Sequence, residues 1–484
     1  MNILLLSNGA PNYHHTFKAL VTLFESEGAQ ITVAVDSTFS RTENKLDELK
    51  SASIHTFDTY FKSHTTDRTI LKRYEEFNLN AALLSDFERA QAYGIWGMKT
   101  SVDYFDRLKS ALLSFFEMIF DMHQVDTVFY ENVSNSFAHF ALFVTQRKKK
   151  TYIGLTGSRL PDRFSLSSDP FQDDATERAF NLIRKGDLVP DPAVRRWARD
   201  YLSRIDTIVP DYMKINGQDQ LVLLKRYLRR DRIPKLISLI RHLGDSRTDA
   251  FQIGNPLVTY LALFRRNLNR RFRSSRVRKF YQSQMAGERF LLYPLHFHPE
   301  SSTSILAGTY LDEYEVIRNI AFNLPEGLRL YVKDHSSAWA YPTLKFYQRL
   351  NALPNVRILP PEAPTKNLIR DSEAVITLTS TVGYEALLLQ KRVFLYGEVF
   401  YAFHEGVSRV ANPAHLHGLL REQLAKPVDW DGSYNEDFVC AYFLSTLAGK
   451  LNLMTKAEDA PTNAKRIFTA LQGSGNLIVE PVKS

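Results

Sequence analysis

Short apolar runs, each followed by a polar loop and then a helical stretch, recur through both halves of this chain. In the first half, Ile3 to Leu6, Gln30 to Val35, Ser53 to Phe57, Thr127 to Tyr130 and Tyr152 to Leu155 read as buried strands. Helical periodicity fills Thr16 to Glu27 and Leu108 to Met122, and Glu131-Asn-Val-Ser-Asn-Ser136 opens a helix running to about Gln146. The second half repeats the pattern, with strands expected at Phe290 to Tyr293, Leu328 to Val332, Val356 to Leu359, Ala374 to Leu378 and Val393 to Tyr396. Helices at Tyr310 to Phe322, Leu344 to Leu350, Thr365 to Arg370 and Gly383 to Leu389 lie between them. Apolar strands alternating with helices are βαβ units, whose parallel sheet must be covered on both faces.

At 484 residues the chain is too long for one ordinary core. The pattern divides it into two Rossmann-like domains, residues 1–165 and 288–430. Between them, 166–287 reads as a helical, arginine-rich insertion or connector, and 431–484 as a helical tail. The expected fold class is α/β and GT-B-like, with the two Rossmann-like domains facing one cleft. Phe264 to Phe280 holds Arg265, Arg266, Arg270, Arg271, Arg273, Arg276, Arg278 and Lys279 among Phe264, Leu268, Phe272 and Val277. Such a stretch suits either a solvated connector face or an amphipathic helix on an anionic leaflet. No nucleic-acid motif accompanies the charge, so nucleic acid is not expected as a partner.

Sixty-one basic residues against 53 acidic leave a net charge of +8, which favours anionic ligands or surfaces. Cys440 is the only cysteine, which excludes an intrachain disulfide framework and a cysteine-based zinc site. The start has no basic n-region, its apolar run is short, and no stretch is long and apolar enough to span a membrane. The expected location is therefore cytoplasmic, with at most peripheral contact at the inner membrane face.

Three polar loops follow strands of the second half. Tyr293-Pro-Leu-His-Phe-His-Pro-Glu-Ser-Ser-Thr303 holds His296, His298 and Glu300, and a carboxylate there can be a nucleophile, a base or simply a turn residue. The two histidines lie at i and i+2 on an extended segment without a further ligand set, so no metal is expected. Lys333-Asp-His335 ends another strand, where a lysine and a histidine can neutralise phosphate or protonate a leaving oxygen. Thr379-Ser380-Thr381-Val-Gly383-Tyr-Glu385 places hydroxyls at a helix N-cap, an anion site by virtue of free N–H groups and the helix dipole. Gly383 would let the backbone approach a ligand, and Glu385, expected in the first turn, could accept from a ribose or sugar hydroxyl. Ligands of open α/β sheets bind beyond the carboxyl ends of the strands, which is where these loops should lie.

In the first half Glu131 and Asp162 are the carboxylates expected at the ligand edge, with Asn8, His14, His15 and Arg159 nearby in the strand-end loops. Glu131 can serve as a helix cap or as a general base towards an acceptor hydroxyl. No G-x-G-x-x-G follows the first strand and no P-loop lysine motif exists, which disfavours dinucleotide and P-loop chemistry.

Taken together, Tyr-Pro-Leu-His-Phe-His-Pro-Glu-Ser-Ser-Thr, Val-Lys-Asp-His and Ser-Thr-Val-Gly-Tyr-Glu-Ala-Leu-Leu-Leu-Gln-Lys-Arg-Val resemble the bacterial capsule polysaccharide biosynthesis family, which includes Kdo transferases. The resemblance covers mainly residues 288–405; Glu131-Asn-Val-Ser-Asn-Ser and Ser158-Arg-Leu-Pro-Asp-Arg-Phe extend it into the first half. It implies a GT-B glycosyltransferase that takes a nucleotide-activated sugar, CMP-Kdo or similar, to a glycan or glycolipid acceptor in capsule or lipopolysaccharide assembly, with no further cofactor. By that analogy His335 and the Ser380-Thr381 loop would hold the nucleotide phosphate, Glu300 would be the nucleophile and Glu131 the acid/base. Two positions depart from the pattern: Ser336 stands where such enzymes carry proline, and Glu300 where they carry aspartate. A UDP-sugar epimerase, a polyol-phosphate transferase and an inactive nucleotide-binding scaffold are the alternatives on the same fold.

Overall fold

The computed structural model describes residues 1–10, 13–95, 100–171, 173–208, 237, 239–246, 248–453 and 456–473. Pro11 and Asn12 of the expected first turn, and 209–236 of the expected insertion, lie outside the described residues. The rest forms two compact α/β units. One gathers the described residues of Met1–Gln172, Leu224–Arg265 and Thr446–Ser484; the other gathers those of Asp173–Leu223 and Arg266–Ser445.

The first unit is built on strands β1 (Asn2–Ser7), β2 (Gln30–Val35), β3 (Ser53–Thr56), β4 (Thr127–Glu131), β5 (Thr151–Gly157) and β6 (Arg163–Ser167). Leu447–Ala448 adds a short edge, and the order runs 447–448, β6, β5, β4, β1, β2, β3. Strands β1 to β5 pair in parallel, whereas β6 returns antiparallel along β5. Leu4, Leu5 and Leu6 are fully buried because helices α1 (Tyr13–Ser26), α2 (Val102–His123) and α3 (Ser136–Arg147) clothe the sheet. Phenylalanines supply much of that packing: Phe24 meets Phe129 edge-on at 5.1 Å between ring centroids, and Phe116 meets Phe137 at 5.0 Å.

Helix α4 (Pro256–Val277) carries residues of both units. The second unit then follows with β7 (Phe290–Pro294), α5 (Ser301–Leu306), α6 (Glu313–Asn323), β8 (Arg329–Lys333) and β9 (Val356–Leu359). It continues with β10 (Ala374–Thr377), α7 (Thr381–Leu388), β11 (Arg392–Leu395) and β12 (Val407–Arg409). The order is β12-β11-β10-β7-β8-β9, and every pair is parallel. Both units are thus Rossmann-like, as the strand–helix rhythm implies.

The two sheets share a construction that locates their ligand edges. Each begins at an inner strand, β1 or β7, and adds two strands on one side. The chain then crosses to the other side for β4 and β5, or β10 and β11. Loops leaving neighbouring strands at such a reversal diverge, and the crevice between them is where open α/β sheets bind ligands. In the first unit this point lies between β1 and β4; in the second it lies between β7 and β10.

The segments read as an insertion and a tail are divided between the units. Helices Ala175–Lys185 and Pro192–Ser203 set Arg184, Arg195 and Arg199 against Glu436 and Asp437 of Gly432–Leu444, all in the second unit. Ala460–Gly473 returns to the first unit, where Phe468 packs edge-on against Phe24 of α1 at 5.6 Å.

Candidate functional site

In the second unit the loop after β7 is fastened by a buried glutamate. One oxygen of Glu313, in the first turn of α6, accepts from the His296 backbone N–H at 2.9 Å and faces its Nδ1 at 2.8 Å. The same oxygen accepts from the Tyr293 hydroxyl at 3.1 Å, and the other stands 3.4 Å from His298 Nε2. Burial pushes the Glu313 carboxyl up, but hydrogen bonding to the two imidazoles outweighs it and holds it at about 2. On its far side His296 Nε2 accepts the Thr379 backbone N–H at 3.3 Å and lies 3.2 Å from the Thr377 hydroxyl. That network places the His296 proton on Nδ1, facing Glu313. His296 therefore joins the loop after β7 to the loop after β10 directly across the switch point.

The loop after β8 lies beside this bridge. Asp334 is buried and accepts from the hydroxyls of Tyr281 at 2.6 Å and Tyr347 at 2.8 Å and from the His335 N–H at 2.8 Å. Burial raises its carboxyl to about 6, against the pull of those donors. Fixed in this way, Asp334 holds the backbone of His335. His335 Nδ1 accepts the Ser337 N–H at 3.1 Å, so its proton sits on Nε2, which has no hydrogen-bond partner among the described residues. Burial, with nearby His296 and Lys333, pushes the imidazole down to about 4, so it is neutral at ordinary pH. Its ring centroid lies 6.0 Å from that of Phe297. Lys333 turns the other way. Its ammonium is buried on the carbonyls of Pro361 at 3.0 Å and Asp334 at 3.3 Å, and burial lowers its pKa.

The loop after β10 leads into α7, where Ser380 is the N-cap and accepts from the Val382 N–H at 3.1 Å. Thr381 opens the helix. Gly383 answers to packing. A side chain there would meet the Tyr401 hydroxyl oxygen at 2.5 Å, and that hydroxyl donates to the Ser380 carbonyl at 2.6 Å. Glu385 lies beyond the first turn, with one oxygen 3.3 Å from Lys366 Nζ. Glu300 is the residue before α5; its backbone is extended and its carboxylate makes no capping hydrogen bond. Thr303 and Thr379 bury hydroxyls with no hydrogen-bond partner among the described residues, an unspent polar capacity on both sides of the β7–β10 crevice.

The first unit gathers a second cluster at its own switch point. Asn135 caps α3, accepting from the Ala138 N–H at 2.9 Å, which leaves Glu131 uncommitted to the helix. Ser134 donates to Glu131 at 2.5 Å, and the Tyr13 and Tyr130 hydroxyls also hydrogen-bond to it. Burial nonetheless raises its pKa, because hydroxyls stabilise a carboxylate less than cations do. Asn8 donates to the Tyr130 hydroxyl at 2.6 Å, tying the loop after β1 to the end of β4. His15 lies against His14 with the rings tilted and their centroids 3.9 Å apart, and its pKa is lowered by burial and by Lys18 and Lys45. Arg159 and Asp162 lie in the β5–β6 connection; Asp162 is exposed, adopts φ +55°, and stands 3.9 Å from Lys450.

The structure thus brings His296, His298, His335 and Ser380 to adjoining strand ends, and Asn8 to Glu131, while Lys333 and Glu385 hold protein partners. Glu313, Tyr13, Tyr130 and Thr379 carry hydrogen bonds that the sequence pattern did not single out. An acidic residue in a first helical turn, such as Glu313, ordinarily signals a dipole partner and nothing more. Among the described residues no cluster of three or more His, Cys, Asp or Glu could hold a metal ion, and no helix is long and apolar enough to cross a membrane.

Residues 218–428 match the family model described as capsule polysaccharide biosynthesis protein. No curated protein sequence matches the chain. Among solved structures, the beta Kdo 2,4 transferase of Thermosulfurimonas dismutans KpsC is 15% identical, with 66% of this chain and 79% of that one covered and a TM-score of 0.34. The beta Kdo 2,7 transferase of the same KpsC is 11% identical, covering 73% and 89%, with a TM-score of 0.36. A UDP-GlcNAc 2-epimerase from Methanocaldococcus jannaschii is 13% identical, covering 98% and 100%, with a TM-score of 0.26. Identities and scores this low say nothing of substrate. Over residues 218–428, which include all three loops of the second unit's switch point, the chain resembles the capsule polysaccharide biosynthesis family.

Proposed function

We propose that this protein is a glycosyltransferase of surface-polysaccharide assembly. In this reading it moves Kdo or a related sugar from a CMP-activated donor to a glycan or glycolipid acceptor. The observation that carries it is the convergence of three loops at the β10–β7–β8 strand ends, where a neutral His335 keeps its Nε2–H available. A neutral N–H donor and a helix N-terminus can hold a phosphate oxygen as negative charge gathers on the leaving nucleotide. No metal is called on for this step.

Glu300 is the candidate nucleophile. Its carboxylate would attack the anomeric carbon as the bond from that carbon to the phosphate oxygen breaks, releasing CMP. The acceptor hydroxyl would then displace Glu300 and pass its proton to Glu131. A carboxyl with a raised pKa suits proton exchange better than an ordinary, fully ionised one.

The test offers CMP-Kdo and a panel of UDP-sugars, with and without glycan acceptors, to the wild-type protein and to Glu300→Ala. Transfer from the CMP donor that falls about 10⁴-fold in the variant is expected. Epimerisation of UDP-GlcNAc without acceptor, nucleotide binding without turnover, or an undiminished Glu300→Ala rate would each overturn the reading.

A further inference from the structure

Helix α4 divides its arginines between two faces. Arg266, Arg270 and Arg273 fall on one side and are spent within the second unit. Arg270 is buried, donates to the Trp339 carbonyl at 2.9 Å and lies 4.4 Å from the Tyr341 ring centroid. Arg266 stacks on the same ring at 4.3 Å, and Arg273 donates to the Tyr341 carbonyl at 2.8 Å. Val277 continues this face and is fully buried.

The opposite side carries Leu261, Arg265, Leu268, Phe272 and Arg276, spaced by four, three, four and four residues, which is one stripe of an α-helix. Arg265 and Arg276 are exposed, Leu261 is 52% exposed and Phe272 62%. Arg271 stands exposed at its margin, and Lys279 extends it just past the helix. Asn255, immediately before α4, holds the carbonyls of His242 at 2.6 Å and Asp245 at 3.0 Å, so exposed Ile240 and Leu243 belong to a segment fastened at the helix start. Exposed leucine and phenylalanine interleaved with cations, with no acidic residue in the helix, is not the composition of a merely solvated face.

We infer that this outer face of α4 docks on an anionic phospholipid surface, with Leu261 and Phe272 entering the headgroup–acyl boundary and Arg265, Arg271, Arg276 and Lys279 paired with lipid phosphates. The mixture of charge and apolar anchors is what favours a bilayer over a soluble polyanion, which would use the cations alone. The inference is independent of the sugar-transfer reading.

Co-sedimentation of the full chain with vesicles tests it. Binding to vesicles containing phosphatidylglycerol and little binding to pure phosphatidylcholine are expected. Arg265→Glu/Arg271→Glu/Arg276→Glu should weaken binding on the order of 100-fold or more, since each basic residue near such a surface contributes about fivefold. Phe272→Ser, which leaves the charge unchanged, should weaken it several-fold. The matched reversal Lys149→Glu/Lys185→Glu/Lys465→Glu, at exposed sites elsewhere, should change it little. Circular dichroism and melting establish that each variant is folded. Equal loss in the two triple variants, full binding by Phe272→Ser, absent binding to anionic vesicles, or equal affinity for heparin at the same salt would overturn it.

Discussion

Each switch point is organised around a glutamate, and the two glutamates are pushed in opposite directions. Glu131 in the first unit is ringed by hydroxyls from Ser134, Tyr13 and Tyr130, and burial prevails, so its pKa rises. Glu313 in the second is buried too, yet it faces two imidazoles and falls to about 2. Burial alone therefore does not determine the charge of a carboxyl; the chemistry of its partners does. The difference fits a division of labour. A carboxyl held by hydroxyls can exchange a proton, whereas one held by imidazoles is a permanent anion that positions other groups.

The largest expected effect comes from breaking the second arrangement. Glu313→Ala would leave His296 buried without its acceptor and should cost about 3–5 kcal/mol in urea denaturation. Its pH signature has a definite sign. The folded pKa lies below the ordinary value, so the stabilisation is present above that value and is lost as pH falls towards 2. Glu313→Gln should flatten that acid limb. A variant as stable as wild type at pH 7 would remove the clamp from the account.

Glu131→Gln probes the other side of the comparison. It should lower transfer about a hundredfold under the acid/base proposal and remove the corresponding limb from the rate–pH profile. Its stability signature has the opposite sign. A raised folded pKa contributes stability below the ordinary carboxyl range that is lost as pH rises through the folded value, so Glu131→Gln should gain on wild type as pH rises. Melting curves of wild type, Glu131→Gln and Glu313→Gln from pH 3 to 8, on the order of one pH unit apart, would separate the two behaviours. The smallest effect is expected at Ser380→Ala, where a lost helix cap should cost about 1 kcal/mol without touching either glutamate.

The strand–helix rhythm revealed most of the fold because fully buried parallel strands must be apolar throughout, as Ile3 to Leu6 and Phe290 to Tyr293 are. What escaped were the edges. Val407–Arg409 is three residues long, and Arg163–Ser167 alternates polar with apolar behind a turn that Asp162 makes at positive φ. At the candidate site, strand-end loops were legible from residue type, but the direction of each side chain was not. Lys333 ends on carbonyls because the last residue of a buried strand has backbone acceptors within reach. Gly383 makes room for Tyr401, eighteen positions away in sequence, a contact no local pattern contains. Glu313 reaches the loop after β7 only once α6 has been laid against the sheet.

The central claim is that the β10–β7–β8 edge of the second unit holds the nucleotide of an activated sugar. Melting of wild type and His335→Ala with CMP or UDP tests it most directly, since a ligand bound only by the folded state must raise the melting temperature. The expected result is stabilisation by CMP exceeding that by UDP, with apparent affinity for CMP falling roughly tenfold to a hundredfold in His335→Ala, the cost of one hydrogen bond to a charged group. No stabilisation by CMP, or the same stabilisation with and without the His335 imidazole, would contradict it.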